Sequence, residues 1–282
     1  MQIKSSGNVV SIYLDALTGW EQWVLLTSDN HHDSPFCERK IEQKIFDEAL
    51  QKNALIFMGG DVFDAMQGKR DPRASYAELQ KEFKNPNYFD RILDFNASFY
   101  GKYAKNIAVI GYGNHETAVL KHYNTDLIQR LVYKMNRENG GNIAAGGYGG
   151  WVRFMFTMDK TKRTHVNMKY FHGAGGDAPV TKGVIQTARQ AVYLPDADIV
   201  WNGHNHNEYA LPIPRERLSA QGQTYQDAQW HVRTPGFKNG YQDGSTGFEV
   251  ESGMPPKPIG AVWLRMYRDG DRIRVTAIQD VR

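Results

Sequence analysis

A single cysteine, Cys37, stands in 282 residues. That excludes an intrachain disulfide and any thiolate metal cluster, and it leaves a reducing compartment open. Any metal in this chain is therefore held by nitrogen and oxygen. No apolar run approaches the ~20 residues of a membrane-spanning helix. The first fifteen residues break their apolar positions with Lys4, Ser5, Ser6 and Asn8, unlike the continuous core of a signal peptide. The chain thus reads as soluble and cytoplasmic, with no membrane partner. Charge of one sign is scarce as well: 34 Lys and Arg face 31 Asp and Glu, a net +3, too small an excess to imply a nucleic-acid or membrane surface on electrostatics alone. What is present, 41% hydrophobic residues, is enough for a substantial core.

Along the chain, the apolar runs at 9–14 and 23–27 read as strands joined by a turn around Thr18-Gly19. Ile41, Ile45, Phe46, Ala49 and Leu50 share one helical face, which predicts a helix over 38–52. The short apolar run 54–58 then completes a strand, helix, strand unit of the parallel type. Between 65 and 105 a polar breaker, Gln67 to Pro72, precedes two helical patterns at 74–83 and 88–103, which read as a helical insertion. A buried-strand run at 106–110 leads into a long helical pattern ending near Glu138. Beyond the glycines at 146–150 come a hairpin, 151–158 and 164–171, a short helix at 181–193 and a strand at 198–201. From about 207 to 282 the chain is β-rich, with strands at 208–213, 230–234, 259–267 and 272–278. No repeat or linker divides it, so one domain over 1–282 is expected.

Five stretches carry metal-type side chains, each at the end of a strand-like run. They are Asp29-Asn30-His31, Gly60-Asp61-Val62-Phe63-Asp64, Gly113-Asn114-His115-Glu116, Phe171-His172-Gly173 and Gly203-His204-Asn205-His206. In extended backbone, residues i and i+2 project to the same side. That pairs Asp29 with His31 and His204 with His206. Asp61 follows two glycines, where backbone approaches an ion closely and a carboxylate can bridge two cations. Asp64 either supports that site or caps a helix. The Asn114 amide oxygen is a neutral ligand for a hard cation, and a helix starting there offers N–H groups to an anion. His32 and Asp33 are spares, with His32 pointing the other way, and His165 lies at the far end of its strand. Five of the nine histidines fall at strand ends, where ligands of parallel-type sheets collect.

In this order, Asp-x-His, Gly-Asp-x-x-Asp, Gly-Asn-His-Glu, a strand-end His and Gly-His-x-His resemble the signature of the calcineurin-like metallophosphoesterases. The match spans residues 29 to 206. The resemblance implies an α/β fold, a four-layer sandwich of two mixed β-sheets flanked by helices, and a dinuclear centre. By that likeness Asp29, His31 and His206 would hold one cation, Asn114, His172 and His204 the other, and Asp61 would bridge. His115 would contact the scissile phosphate instead of metal. Glu116 stands where Asp is commoner, a change not expected to affect the metals.

Two cations roughly 3.5–4 Å apart bind phosphate oxygens and lower the pKa of a bridging water from ~15.7 towards ~7. The implied reaction is therefore hydrolysis of a phosphate ester by a metal-bridged hydroxide, with His115 stabilising charge or protonating the leaving oxygen. Manganese is the favoured cation as a common occupant in that family, and iron, zinc and nickel suit the same ligands. No cluster dedicated to a monoester dianion stands out, so a phosphodiester in a nucleotide or nucleic acid is the expected substrate. Lys69, Arg70, Arg73 and Lys81 near Tyr76, and Tyr148 with Trp151, are the candidates for holding nucleic acid. Phosphomonoesterase and protein phosphatase are the alternatives within the class. A metal-binding scaffold without turnover is the alternative outside it.

Overall fold

In the computed structural model, residues 2–65, 79–159, 162–176, 181, 183–245 and 248–282 are described. Two kinds of strand are present, and their burial tells them apart. Strand β2 (Val9–Asp15), after β1 (Gln2–Ser6), buries Val10, Ile12 and Leu14 and turns Tyr13 and Asp15 outward. The period of two marks a sheet with one face covered. Strand β3 (Glu21–Thr27) is buried over its last four residues, and β4 (Leu55–Met58) and β5 (Ile107–Ile110) are buried throughout. These are interior parallel strands, covered on both faces.

Helix α1 (Arg39–Gln51) joins β3 to β4, and the two strands pair in parallel. Helix α2 (Tyr88–Tyr100) precedes β5, and α3 (Asn114–Tyr123) and α4 (Leu127–Asn139) follow it. The chain continues through β6 (Ala144–Ala145), β7 (Gly149–Thr157), β8 (Arg163–Phe171), α5 (Val184–Tyr193) and β9 (Ile199–Asn202). It ends with β10 (Tyr209–Leu218), β11 (Thr224–Arg233), α6 (Phe248–Glu251), β12 (Gly260–Asp269) and β13 (Arg272–Val281).

The strands form two mixed sheets, one of seven in the order β1-β2-β7-β8-β9-β11-β10 and one of six in the order β13-β12-β3-β4-β5-β6. Ile12, Phe154 and Met168 from the first pack on Leu26, Phe57 and Val262 from the second, and Phe57 meets Phe154 edge to face at 5.8 Å. The outer face of the six-stranded sheet is covered by α1, α2 and α4 through Phe46, Ile92 and Leu131. On the outer face of the seven-stranded sheet, α5 supplies the fourth layer through polar contacts, including Thr187 on the Tyr209 hydroxyl at 2.5 Å. The fold class expected from the resemblance is the one observed. No helix among the described residues is long and apolar enough to cross a membrane.

Several local expectations change. The turn at Thr18-Gly19 carries the chain from one sheet to the other instead of closing a hairpin. The long pattern after β5 breaks into α3 and α4, because Asn124 ends α3 at φ +50° and Asp126 starts α4 by accepting the N–H of Gln129. Both are residues that favour helix ends. Strand β10 runs through Pro212 and Pro214, which an edge strand tolerates. In the insertion, α2 ends at Tyr100, followed by a 3-10 turn at Gly101–Tyr103. The breaker at 67–72 and most of the pattern at 74–83 lie outside the described residues, and its end, Lys81–Phe83, is a 3-10 turn. Strands β1 and β6 were not anticipated.

Candidate metal centre

The loops after β3, β4, β5, β8 and β9 lie along one edge of the sandwich, because these strands are parallel within their sheets. The loops are stitched together by backbone. Asp29 N–H donates to Gly60 O at 2.9 Å, His31 N–H to Asp61 O at 3.0 Å, and Gly203 N–H to His172 O at 2.8 Å. Two glycines admit this closeness. A Cβ at Gly113 would lie 2.0 Å from Asp61 Oδ1, and one at Gly203 would lie 2.2 Å from Ser28 Oγ.

The backbone here is not extended. Asp29, His31, Asp61, His204 and His206 all adopt positive φ, between 44° and 75°. Non-glycine residues rarely do so, at a cost of ~1–3 kcal/mol each where the surroundings enforce it. This corrects the argument from extended spacing. Asp29 and His31 are both left-handed, at φ 54° and 44°, and their ligand atoms and that of His206 lie within 4.8 Å of one another. A left-handed turn brings Asp29 and His31 together. It also separates His204 from His206: His204 joins Asp61 and His172 in a second group of the same tightness. The first trio has the members the resemblance implied, the second sets Asp61 with His172 and His204 where Asn114 was implied beside them, and His31, Asp64 and His115 form a further trio as close.

In the second group the donor chemistry calls for a cation. His172 Nδ1 meets the carbonyl oxygen of Gly59 at 3.0 Å, and a carbonyl only accepts, so Nδ1 carries the proton. The lone pair of Nε2 then faces two more oxygens, Asp61 Oδ2 at 3.2 Å and Asn114 Oδ1 at 3.3 Å. Three electron-rich atoms aimed at one point repel unless a positive charge stands among them. The site draws positive charge of one kind or another: burial opposes charge on His172, yet Asp61, with Asp29 and Glu116 behind it, holds its pKa up at about 10, so without a cation a proton on Nε2 meets the two oxygens in its place.

The first group is built alike. His206 Nε2 lies 3.3 Å from Asp29 Oδ1. Burial lowers His31 to about 4, against the opposing pull of Asp64, so its imidazole is neutral. Nδ1 of His31 lies 3.0 Å from Asp64 Oδ1 without hydrogen-bond geometry, and a carboxylate so close favours the proton on Nδ1, which would leave Nε2 as the ligand atom. Asp29 and Asp61 are both held below the usual carboxylate range although burial opposes it, Asp29 chiefly by His206 and Asp61 chiefly by His115 and His172. Asp29 Oδ1 and His204 Nδ1 are buried with no hydrogen-bond partner among the described residues. Orphaned atoms of this kind, in a site of Asp, Asn and His, fit two divalent cations.

His115 is the second residue of α3, in the first turn of the helix, and its backbone N–H donates to Asp61 Oδ1 at 2.9 Å. That leaves Asp61 Oδ2 as the oxygen turned toward His115 and His172. His115 Nδ1 bonds the Asp64 carbonyl, and its Nε2 lies 3.8 Å from Asp61 Oδ2. Asp64 supports the site, holding His31 on one side and Lys238 Nζ at 2.8 Å on the other. Glu116 is no ligand, but its buried carboxyl accepts the N–H groups of Gly113 at 2.8 Å and of Asp61 and Phe63 at 3.0 Å each. Burial, with Asp61 adding, raises it to about 7.

His32 turns away to Glu42, and Asp33 accepts the N–H groups of Asp64 and Ala65. His165 is exposed, away from this edge. Tyr148 does reach the site, its ring edge to face with His172 at 5.3 Å. Trp151 instead pairs with Lys169, Lys81 is exposed, and Lys69, Arg70, Arg73 and Tyr76 lie outside the described residues. Sequence reasoning missed Lys238, on a loop whose Phe237 N–H bonds Asp29 O at 3.0 Å. Nothing local to Lys238 signals it. It also missed Glu42.

No family model matches the chain, and no curated protein does either. Among solved structures, Vacuolar Protein Sorting 29 from Cryptosporidium parvum is 13% identical over 93% of this chain and 99% of its own, with a TM-score of 0.38. A conserved protein of Streptococcus pneumoniae described as a predicted phosphoesterase is 11% identical over 92% of this chain and 90% of its own, at 0.34. Wild-type Vps29 complexed with zinc from Entamoeba histolytica is 9% identical over 91% and 98%, at 0.37. Scores this low leave the reading to the geometry above. With two mixed sheets, five motif loops on one edge and two ligand groups flanking Asp61 and His115, the chain resembles the calcineurin-like metallophosphoesterases in architecture as well as in motif order.

Proposed function

We propose that this protein is a dinuclear-metal-dependent phosphoesterase acting on phosphodiesters of a nucleotide or nucleic acid. The observation that carries this reading is the pair of ligand groups, Asp29, His31, His206 and Asp61, His172, His204, with Asn114 beside the second and His115 held next to Asp61. Asp61 would serve both groups. Cations held there would neutralise phosphate charge and lower the pKa of an attacking water, with manganese the first to test.

The chain's own residues do the rest. The short bond from His115 Nδ1 to the Asp64 carbonyl fixes the ring, so Nε2 is the atom presented to a phosphate oxygen or leaving group. The start of α3 adds backbone N–H groups and the positive end of the helix dipole. Lys238, on the rim, is engaged by Asp64, which supports a monoanionic diester over a monoester dianion. Tyr148 offers a ring at the mouth for a base.

The test is a substrate panel with added manganese: bis-para-nitrophenyl phosphate, para-nitrophenyl phosphate, cyclic nucleotides, single-stranded DNA and a phosphopeptide. Faster turnover of the diesters supports the reading. Preference for para-nitrophenyl phosphate or the phosphopeptide replaces it with a monoesterase. A chain that binds two manganese ions and hydrolyses none of them is a scaffold.

A further inference from the structure

Helix α1 has an apolar inner face with one charged intruder. Its buried positions are Glu42, Ile45, Phe46 and Ala49, and Glu42 is 0% exposed. An aliphatic residue of that size would avoid the desolvation that a buried carboxyl incurs, so the helix alone gives no reason for it.

The reason lies in what it touches. Glu42 Oε1 accepts from Asn30 Nδ2 at 2.8 Å and from the Tyr100 hydroxyl at 2.5 Å. Oε2 meets His32 Nδ1 at 2.6 Å and the Cys37 thiol at 3.7 Å. Asn30 lies between Asp29 and His31, and His32 follows them, so the residues flanking His31 are anchored to one buried carboxyl. Asp29 and His31 are the pair held in left-handed conformations, at φ 54° and 44°. On one side the N–H groups of Asp29, His31 and His32 are held by the Gly60, Asp61 and Val62 carbonyls, and the Glu42 cluster supplies the grip on the other. A backbone segment held from both sides cannot relax toward ordinary φ.

We propose that Glu42 is a positioning residue for the cation group Asp29, His31 and His206. It fixes the 29–32 loop through Asn30 and His32 and touches neither substrate nor metal. This rests on the metal reading of the preceding section. It assigns Glu42 to one of the two groups only, because the loops bearing His172 and His204 make no contact with it among its bonds.

The experiment is a cobalt titration of the full chain followed by visible absorption, with thermal melting of the metal-free protein in parallel. Wild type is expected to take up two equivalents. Glu42→Gln, which keeps the shape and loses an acceptor, is expected to weaken one equivalent by ~10-fold and leave the other, in the range that supporting residues cost a metal site. Tyr100→Phe keeps the ring packing, and a shift of the same sign but about 3-fold decides the matter should Glu42→Gln not fold. Ile45→Ala, on the same helix face, lowers the melting temperature without altering either cobalt equivalent. Unchanged affinities in both Glu42→Gln and Tyr100→Phe, beside a two-cobalt wild type, overturn the proposal and leave the metal reading intact. Loss of a third equivalent with the first two unchanged overturns it too, by making His32, Cys37 and Glu42 a cation site of their own. A wild type that takes up no cobalt overturns both.

Discussion

Replacing Gly113 with alanine puts a single methyl at the point where two ligand loops touch. Its φ of −109° is one any residue adopts, so the effect is steric. The new carbon would lie 2.0 Å from Asp61 Oδ1 and 2.4 Å from Asp61 N. Ordinary contact begins near 3.4 Å, so the carboxylate must retreat by about 1.4 Å and the backbone by about 1 Å, and neither belongs to a flexible side-chain end. Metal–ligand distances tolerate only ~0.2 Å. Gly113→Ala is thus expected to abolish the bridge and weaken both cations by more than ~100-fold, while overpacking costs the fold ~1–3 kcal/mol, or ~3–10 °C in Tm. Gly176→Ala is the control, since a Cβ there meets nothing within 4 Å. Metal uptake by equilibrium dialysis and melting by circular dichroism separate the two effects. A Gly113→Ala protein that binds both metals at wild-type affinity would refute the placement of Asp61 between the groups.

Three further outcomes follow. His115→Ala retains both metals in dialysis, because His115 is in neither ligand group around Asp29 or His172, yet loses ~10²–10⁴-fold in kcat. Asp61→Asn loses metal at both positions by at least the ~10–100-fold that even a supporting residue costs, and a metal-replete, active variant contradicts its bridging role. His231, buried in β11 with Nε2 2.8 Å from Gln229 Oε1, is lowered to about 4 by burial, with Arg215 adding. The unfolded chain takes up that proton first, so stability is lost as pH falls from 6.5 towards 4. Its share is ~1–2 kcal/mol, less than the full shift because solvent screens part of it. Urea unfolding of His231→Asn should show a shallower decline than wild type across that window, and parallel declines would remove His231 as a cause.

The seven side chains gathered at this edge are legible because strand ends are legible: short apolar runs closing on Asp, Asn, His and Gly announce themselves one at a time, and their order carries the resemblance. Their convergence does not come from extended backbone. Asp29 and His31 meet through positive φ, a conformation that only tertiary contacts such as Gly60 and Asp61 carbonyls enforce. The same limit hid Lys238 and Glu42. Lys238 reaches the site by a loop more than thirty residues past the last motif, and Glu42 looks like a solvated helix charge until the helix is placed. In the fold, the four-residue interior strands are legible from their short apolar runs alone. The ten-residue β10 and β11 are legible only in part, as 208–213 and 230–234, since Pro214 and the polar 223–229 stretch resemble loop until β10 is placed at the sheet edge and pairs with the whole of β11.

The most direct measurement is metal content against turnover on one sample: the purified chain is stripped with chelator, titrated with manganese, and assayed on bis-para-nitrophenyl phosphate at each step. The account predicts that turnover rises from zero and saturates at two manganese ions per chain. Saturation at one ion per chain, or hydrolysis that persists in the stripped protein, would contradict it.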